Sequence, residues 1–454
     1  MTLSNVSLLL SLSCVVLTGS KGGALAVFAA SAVFLLGLIV LAGKKLISEK
    51  TRFTVTVTAL LLLLLFVLLP NPLLFRIQNA GIGDKLAFER IGIFKSAVMM
   101  FKDKPLTGQG LGVFSDAYNS YKLPVEGVAG RYGRHAEFAH NEYLNVAAEL
   151  GIAGLLLFSA IVIVVLRRAY LSVKYAETRT TALTALGALA ALAAVFSQAI
   201  VDFNLRFLPI MLLSALSAAV VWSPIFIPAS HPKITRRIRI YFSVFIILTF
   251  VVILFVFLGQ VRTGAAGKEE REKALTEALL LDPLNAGRAD ALGLYYLDKF
   301  VETKDRAVLS LAQKHFKSAV SKNKVNGYYR KHLGHAYAAC NMFPEAEKEY
   351  LEAIKLCRYE PFFRVELCDL YFYMINYSDL YNLMPYRAKA EYQLLEALKI
   401  EPNYVLARVK LGRLYMDSGQ MNKGIYQLKL AESTYRNVVA DPSSSYEERL
   451  LRRP

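Results

Sequence analysis

The sequence predicts an all-α protein in two parts, a polytopic transmembrane helical domain followed by a solenoid of helical repeats. Three observations carry this. Of the 454 residues, 55% are hydrophobic and the mean hydropathy is +0.38, too apolar for a chain that lives wholly in water. The apolarity is concentrated in residues 1–260, where several stretches reach the roughly 17–25 residues that a bilayer-crossing helix needs. Beyond them one helix ending recurs three times, as in a repeat architecture.

Membrane spans are expected near 4–19, 22–43, 53–72, 148–166, 181–202, 206–226 and 240–260. Basic residues set their orientation, because lysine and arginine in short loops stay on the cytoplasmic side. Lys44, Lys45, Lys50 and Arg52 follow the second span; Arg167, Arg168, Lys174 and Arg179 follow the fourth; Lys233, Arg236, Arg237 and Arg239 follow the sixth. Seven spans put these three loops on one face, the cytoplasmic one. The polar stretch 76–149 and everything after Val261 then share the opposite face. The expected layout is a membrane domain at 1–260 with a long outer loop at 73–147, a glycine-rich linker at 261–267, repeats at 268–440 and a polar tail at 441–454.

The amino terminus carries no lysine or arginine before Lys21, so it lacks the positive region of a secretory signal, and Ser11-Leu-Ser-Cys14 is a poor lipoprotein site. A short apolar stretch at the first residue reads as a chain entering partway through a larger membrane domain, with truncation and a late start left even. The cysteines Cys14, Cys340, Cys357 and Cys368 form no tight spacing pattern, and a disulfide among the last three has no support in the spacing. The net charge of +17 is accounted for by the cytoplasmic loops and by lysines on helical faces, so nucleic acid is not an expected partner.

The recurring endings are Glu277-Ala-Leu-Leu-Leu-Asp282-Pro283, Glu352-Ala-Ile-Lys-Leu356 before Glu360-Pro361, and Glu396-Ala-Leu-Lys-Ile-Glu401-Pro402. Each leads into a helix with the same core: Leu292-Gly293 with Tyr296, and Leu411-Gly412 with Tyr415, while Leu333-Gly334 with Tyr337 opens the middle unit. The pattern resembles the tetratricopeptide repeat, and Leu333, Gly334, Tyr337, Phe343, Ala346, Tyr350, Ala353 and Pro361 fit it best, while 362–390 departs from its spacing. Small residues let neighbouring helices nest and tyrosines fill the gaps. Such a stack is expected to dock a protein partner rather than to catalyse.

The chemistry is expected in the outer loop. Arg90 lies where apolar positions recur at helical spacing, which fits both an interfacial arginine reaching for headgroups and a phosphate ligand. Next, Gly108, Gly110 and Gly112 alternate after Pro105; this is no dinucleotide or P-loop fingerprint and reads as a turn ending the Arg90 helix. Then His140, Glu142 and Glu149 run directly into the fourth span. Polar groups at the mouth of a membrane helix are costly unless they face a wet cavity or a partner, although carboxylates there also suit a helix start. The His140 and Glu149 spacing does not suit a metal.

Arg90, then Pro105-Leu-x-Gly108-x-Gly110-x-Gly112-x-Phe114, then His140-Asn-x-x-Leu144 with Glu149 and Gly151 before a span, resembles the carboxy-terminal signature of the O-antigen ligase and polymerase family. Lys21-Gly-Gly23 after Ser20 is similar to that family's Ser-Arg-Gly element with lysine for arginine, and Asp202 and Pro209 resemble its later outer turn. The resemblance covers about residues 10–225 and implies a GT-C type fold lacking its amino-terminal helices. It also implies a metal-independent, cofactor-free transfer of a glycan from an undecaprenyl-diphosphate carrier to a glycan, lipid or protein acceptor outside the inner membrane. Arginine forks suit a departing diphosphate, so Arg90 is the first choice for that role, with Lys21, Arg131 and Arg134 behind it. His140 suits either proton removal from the attacking hydroxyl or, protonated, a contact with the diphosphate. The competing reading is a non-catalytic, membrane-anchored repeat scaffold for envelope assembly.

Overall fold

The computed structural model describes residues 20–50, 52–57, 85–125, 130–133, 135–222, 236–265, 267, 270–377, 383–438 and 445–451. Among them the secondary structure is helical, and the chain divides into two compact units. The first comprises 1–115 and 136–232; the second comprises 116–135 together with 233–454.

Among the described residues of the first unit, three helices are long and apolar enough to cross a membrane: Lys21–Gly43, Glu142–Lys174 and Arg179–Gln198. The apolar Leu208–Trp222 helix follows. The predicted spans at 22–43, 148–166, 181–202 and 206–226 fall on these four, while 4–19 and most of 53–72 lie outside the described residues. Ser20 starts the first helix by accepting the Gly23 amide at 3.0 Å, and Thr178 and Thr181 form a capping box on the third. Gly37 lets the first helix close on the third, since a Cβ there would fall 2.1 Å from Leu186 Cδ1. Leu38, Leu41, Ala182 and Leu186 fill that seam. Phe28, Leu157, Ile163 and Leu212 stay exposed, as lipid-facing residues should. Arg168 and Ser172 tie the second long helix to the end of Leu208–Trp222 through the Val221 carbonyl, at 3.1 and 3.0 Å.

The second unit opens with the helix Arg236–Ala265, which contains the predicted span at 240–260 and continues into the predicted linker at 261–267. Arg262 holds that extension by pairing with Glu277 at 2.8 Å on the next helix, Arg271–Leu281. Four helix pairs follow: Ala286–Thr303 with Arg306–Lys322, Gly327–Ala339 with Phe343–Leu356, Pro361–Tyr377 with Leu383–Ile400, and Val405–Asp417 with Met421–Val438. Asn285, Asp305 and Asn326 cap the first three of these helices. Pro361–Tyr377 is 17 residues long where Gly327–Ala339 and Val405–Asp417 are 13.

The Leu-Gly-Tyr core has a concrete geometry. At Gly293 a Cβ would meet the Phe316 ring at 2.6 Å, at Gly334 the Tyr350 ring at 3.3 Å and at Gly412 Leu428 at 2.9 Å, so each glycine admits the paired helix. The tyrosines bond backwards with a constant interval: the hydroxyl of Tyr296 donates to Glu272 at 3.0 Å, Tyr371 to Glu347 at 2.8 Å and Tyr415 to Glu391 at 2.8 Å. Gln313 stands at the corresponding position before Tyr337 and bonds instead to Cys340 and the Ala336 carbonyl. Burial and Glu272 push the Tyr296 hydroxyl up to about 12, so it remains a donor at neutral pH. Cys340, Cys357 and Cys368 are free thiols.

Candidate active site

The Arg90 helix spans Lys85–Asp103 and stops at Pro105. The chain then forms the turn that the alternating glycines predict, with Gly108, Gly110 and Gly112 all at positive φ. The turn clasps the start of the Glu142–Lys174 helix. The Gln109 amide donates to the Ala148 carbonyl and Gly110 to the Glu149 carbonyl, both at 2.9 Å, and Ile152 donates back to the Pro105 carbonyl at 2.8 Å. Two glycines make the approach possible: a Cβ on Gly108 would lie 2.3 Å from the Glu149 carbonyl, and one on Gly151 would lie 2.5 Å from that of Leu106. Gly151 interrupts its helix at φ 66 to expose these groups.

His140 sits at the mouth of the same helix. Asn141 caps the helix by accepting the Leu144 amide at 2.9 Å, the Ala139 amide donates to Asn145 at 3.0 Å, and the Glu142 amide donates to the Ala199 carbonyl at 2.8 Å. His140 itself has φ 51, a left-handed conformation that non-glycine residues rarely adopt, so its neighbours hold it there. Its ring lies edge-on to Phe203, with centroids 4.9 Å apart, and its Nδ1 is 3.9 Å from Asp202 Oδ1. That distance is an electrostatic contact rather than a hydrogen bond. The His140 imidazole, the Phe203 amide and the Arg90 charge hold the Asp202 carboxyl below its usual range, against the opposing effect of burial. Lys21 opens its helix next to Gly22, whose Cβ would lie 3.8 Å from Asp202 Oδ2. Arg90 and His140 therefore act on one carboxylate, with Gly22 of the first helix beside it.

Glu142 and Glu149 serve a neighbouring arginine. Arg206, on the short 3-10 turn Asn204–Arg206, places Nε 3.4 Å from Glu142 Oε2 and Nη2 3.8 Å from Glu149 Oε2, and its guanidinium lies over the Phe138 ring at 4.4 Å. Glu149 Oε1 also accepts the Phe114 amide at 3.2 Å, which ties the end of the glycine turn to the helix. Arg131 belongs to the second compact unit, where its amide donates to Glu401 at 2.9 Å, and Arg134 lies outside the described residues. The structure thus brings Arg90 and His140 together at Asp202, and Glu142 and Glu149 together at Arg206. Sequence reasoning passed over Arg206 and did not rank Asp202 as a site residue. Their shared signal is a charged pair in a four-residue interval inside the turn between two apolar spans. Among the described residues no three His, Cys, Asp or Glu side chains cluster as metal ligands would.

Comparison with solved structures finds helical-repeat proteins. One titled "Crystal structure of MamA" is 19% identical, with 37% of this chain and 88% of that one covered and a TM-score of 0.31. Another, "Crystal structure of YrrB: a TPR protein with an unusual peptide-binding site", is 16% identical, with 40% and 86% covered and a TM-score of 0.31. A third, "Functional Characterization of Pseudomonas Aeruginosa pilF", is 15% identical, with 42% and 78% covered and a TM-score of 0.32. At these scores the repeat assignment rests on the glycine seams and the tyrosine ladder. No curated protein matches the chain. Residues 6–159, which hold Lys21, Arg90, the glycine clasp and His140, match the family model described as O-Antigen ligase.

Proposed function

We propose that the chain is a glycosyltransferase of the bacterial inner membrane that moves a glycan from an undecaprenyl-diphosphate carrier to an acceptor hydroxyl on the periplasmic side. The acceptor is a glycan, a lipid or a protein. The observation that carries the proposal is the meeting of Arg90 and His140 at Asp202, beside the mouths of apolar helices, with Lys21 at the start of the helix whose Gly22 adjoins the same carboxylate. A lipid-linked donor presents its diphosphate at this level, with its carrier in the bilayer. The orientation rests on the three basic loops, which leave the outer loop and the repeats in the periplasm.

In the reaction the acceptor oxygen attacks the anomeric carbon, the bond from that carbon to the diphosphate oxygen breaks, and the diphosphate leaves with the electron pair. The growing anion is met by Arg90, whose fork matches phosphate oxygens, and by Lys21 as a point charge. His140 receives the proton of the attacking hydroxyl. Asp202 faces its Nδ1, which leaves Nε2 for the acceptor, the base and orienter arrangement of nucleophile activation. Hydrogen bonds of this kind are often long without substrate and tighten in the complex.

The test is complementation of an envelope-glycan transfer mutant by the full chain, then by Arg90→Ala and His140→Ala. Transfer by the parent chain and its loss in both variants is the expected result. Transfer that survives both substitutions removes the assigned mechanism. A parent chain that fails to transfer but restores assembly of other envelope proteins supports the scaffold reading instead.

A further inference from the structure

The segment Asp116–His135 packs with the repeats as part of their compact unit, although the residues on both sides of it belong to the other unit. Its contacts fall on one structural feature, the turn that joins each helix pair to the next. At the first such turn, Asn323 and Asn326 donate to the two oxygens of Asp116 at 2.6 and 2.9 Å. At the second, Lys122 pairs with Glu360, both side chains buried, and the Ser120 hydroxyl donates to the Leu356 carbonyl. Tyr132 stacks on Tyr359 there, with ring centroids 4.6 Å apart and planes within 6°. At the third turn, Glu401 accepts the Arg131 and Tyr132 amides at 2.9 and 2.7 Å and the Tyr446 hydroxyl at 2.8 Å.

Glu360 and Glu401 are the residues that precede Pro361 and Pro402 in the recurring helix endings. Neither the packing within a helix pair nor the tyrosine ladder between pairs uses them. Both are nearly sealed from solvent, at 3% and 0% exposure, and a buried carboxylate is costly unless it is paired. Glu360 takes a lysine side chain from the loop, and Glu401 takes two loop main-chain amides beside the Tyr446 hydroxyl. Two loop glycines add shape to the fit. A Cβ on Gly130 or on Gly133 would lie 2.8 Å from the Tyr446 ring.

We propose that the edge formed by the inter-repeat turns is a docking site whose occupant is the chain's own outer loop, through residues 116–125 and 130–133, and that this docking restrains the segment leading to His140. The repeats thereby act as a positioning device for the transfer site. The consequence for transfer rests on the function proposed above; the docking does not.

Hydrogen exchange of the full chain in lipid nanodiscs, read by mass spectrometry over 116–133, tests the docking. The amides of Arg131 and Tyr132 should be protected in the parent chain. In Gly130→Ala/Gly133→Ala, which leaves every repeat residue in place, their exchange should rise at least about tenfold, the factor for losing one charge-assisted hydrogen bond. Glu401→Gln should raise exchange at the same amides, with exchange in the Gly327–Ala339 helix as the control for repeat folding. Loop exchange at the rate of a free peptide in the parent chain overturns the docking. Glycan transfer measured on the same variants should fall severalfold without vanishing. Loop release with unchanged transfer overturns the positioning role, whereas a parent chain that is inactive but protected overturns the proposed transfer and leaves the docking standing.

Discussion

Gly108→Ala should be the most damaging small substitution in the membrane unit, and its cost can be worked from the clasp. Alanine at φ +65 pays the left-handed penalty of about 1–2 kcal/mol. The larger part is steric. The new Cβ would lie 2.3 Å from the Glu149 carbonyl and 2.5 Å from the Leu150 nitrogen, all backbone atoms that no rotamer change can move aside. Restoring ordinary contact means separating the two segments by about 1 Å. That separation stretches the three hydrogen bonds now at 2.8–2.9 Å beyond bonding length. At about 0.5–1.5 kcal/mol each, their loss brings the total to about 3–6 kcal/mol. Gly112 supplies the internal control: it has φ +72 but open space where its Cβ would go, so alanine there should cost only about 1–2 kcal/mol. Gly151→Ala, the reciprocal face of the clasp, should match Gly108→Ala. The one tryptophan, Trp222, lies in the same unit, so its fluorescence during denaturant unfolding in detergent compares the variants. Equal shifts for Gly108→Ala and Gly112→Ala would refute the clasp as the source of the effect.

Asp202→Asn should lower transfer by about 10–100-fold at neutral pH and lower the unfolding midpoint as well, since the ionised carboxylate that contributes stability there is removed. The folded Asp202 pKa is depressed, so the stability it contributes is complete above its unfolded value of 3.8 and is lost as pH falls through the lower folded value. A transfer assay of the parent chain between pH 5 and 9 should therefore show no limb that belongs to Asp202, and a limb there that vanishes in Asp202→Asn would contradict its assignment. Arg206→Gln leaves Glu142 and Glu149 facing each other without a cation and should destabilise the unit by about 2–3 kcal/mol, less than for a fully buried pair because the guanidinium is 29% exposed. Arg206→Gln/Glu149→Gln should recover part of that loss in the same unfolding assay, and a double variant less stable than the single one would show that the pair does not couple.

Much of this architecture was legible in the sequence because it rests on periodic, local signals. Apolar runs located the helices, and Leu-Gly-Tyr located the repeat core, since a glycine that admits a partner helix must recur at the repeat interval. The alternating glycines announced a turn because three positive φ angles in five residues leave little else for them to do. The meeting of Arg90 and His140 at Asp202 was legible only through the resemblance. Nothing in the spacing of three residues on different segments says that they meet. Arg206 was missed because an arginine beside a span has an ordinary interfacial explanation, and only the fold shows Glu142 and Glu149 converging on it. The role of Glu360 and Glu401 was hidden for a different reason. They sit in a helix-ending motif whose leucines and proline already account for it, so no residue seemed left over.

The placement of restraints around His140 argues for graded rather than all-or-none control by the repeats. Before the loop, the chain is fixed by the clasp and by the Phe114 amide on Glu149; after it, by Ala139 on Asn145, the Asn141 cap and Glu142 on Ala199. These bonds lie within the membrane unit and survive when the loop leaves the repeats. His140 therefore keeps its average place, and what release changes is the freedom of the segment from Asp116 to His135 that leads into it. A looser segment lowers the fraction of time the ring spends aligned, which scales the rate by that fraction and leaves the chemical step intact. Loop release should consequently reduce transfer as the fraction of molecules with docked, protected Arg131 and Tyr132 amides falls. His140→Ala, by contrast, should abolish transfer at any degree of loop protection.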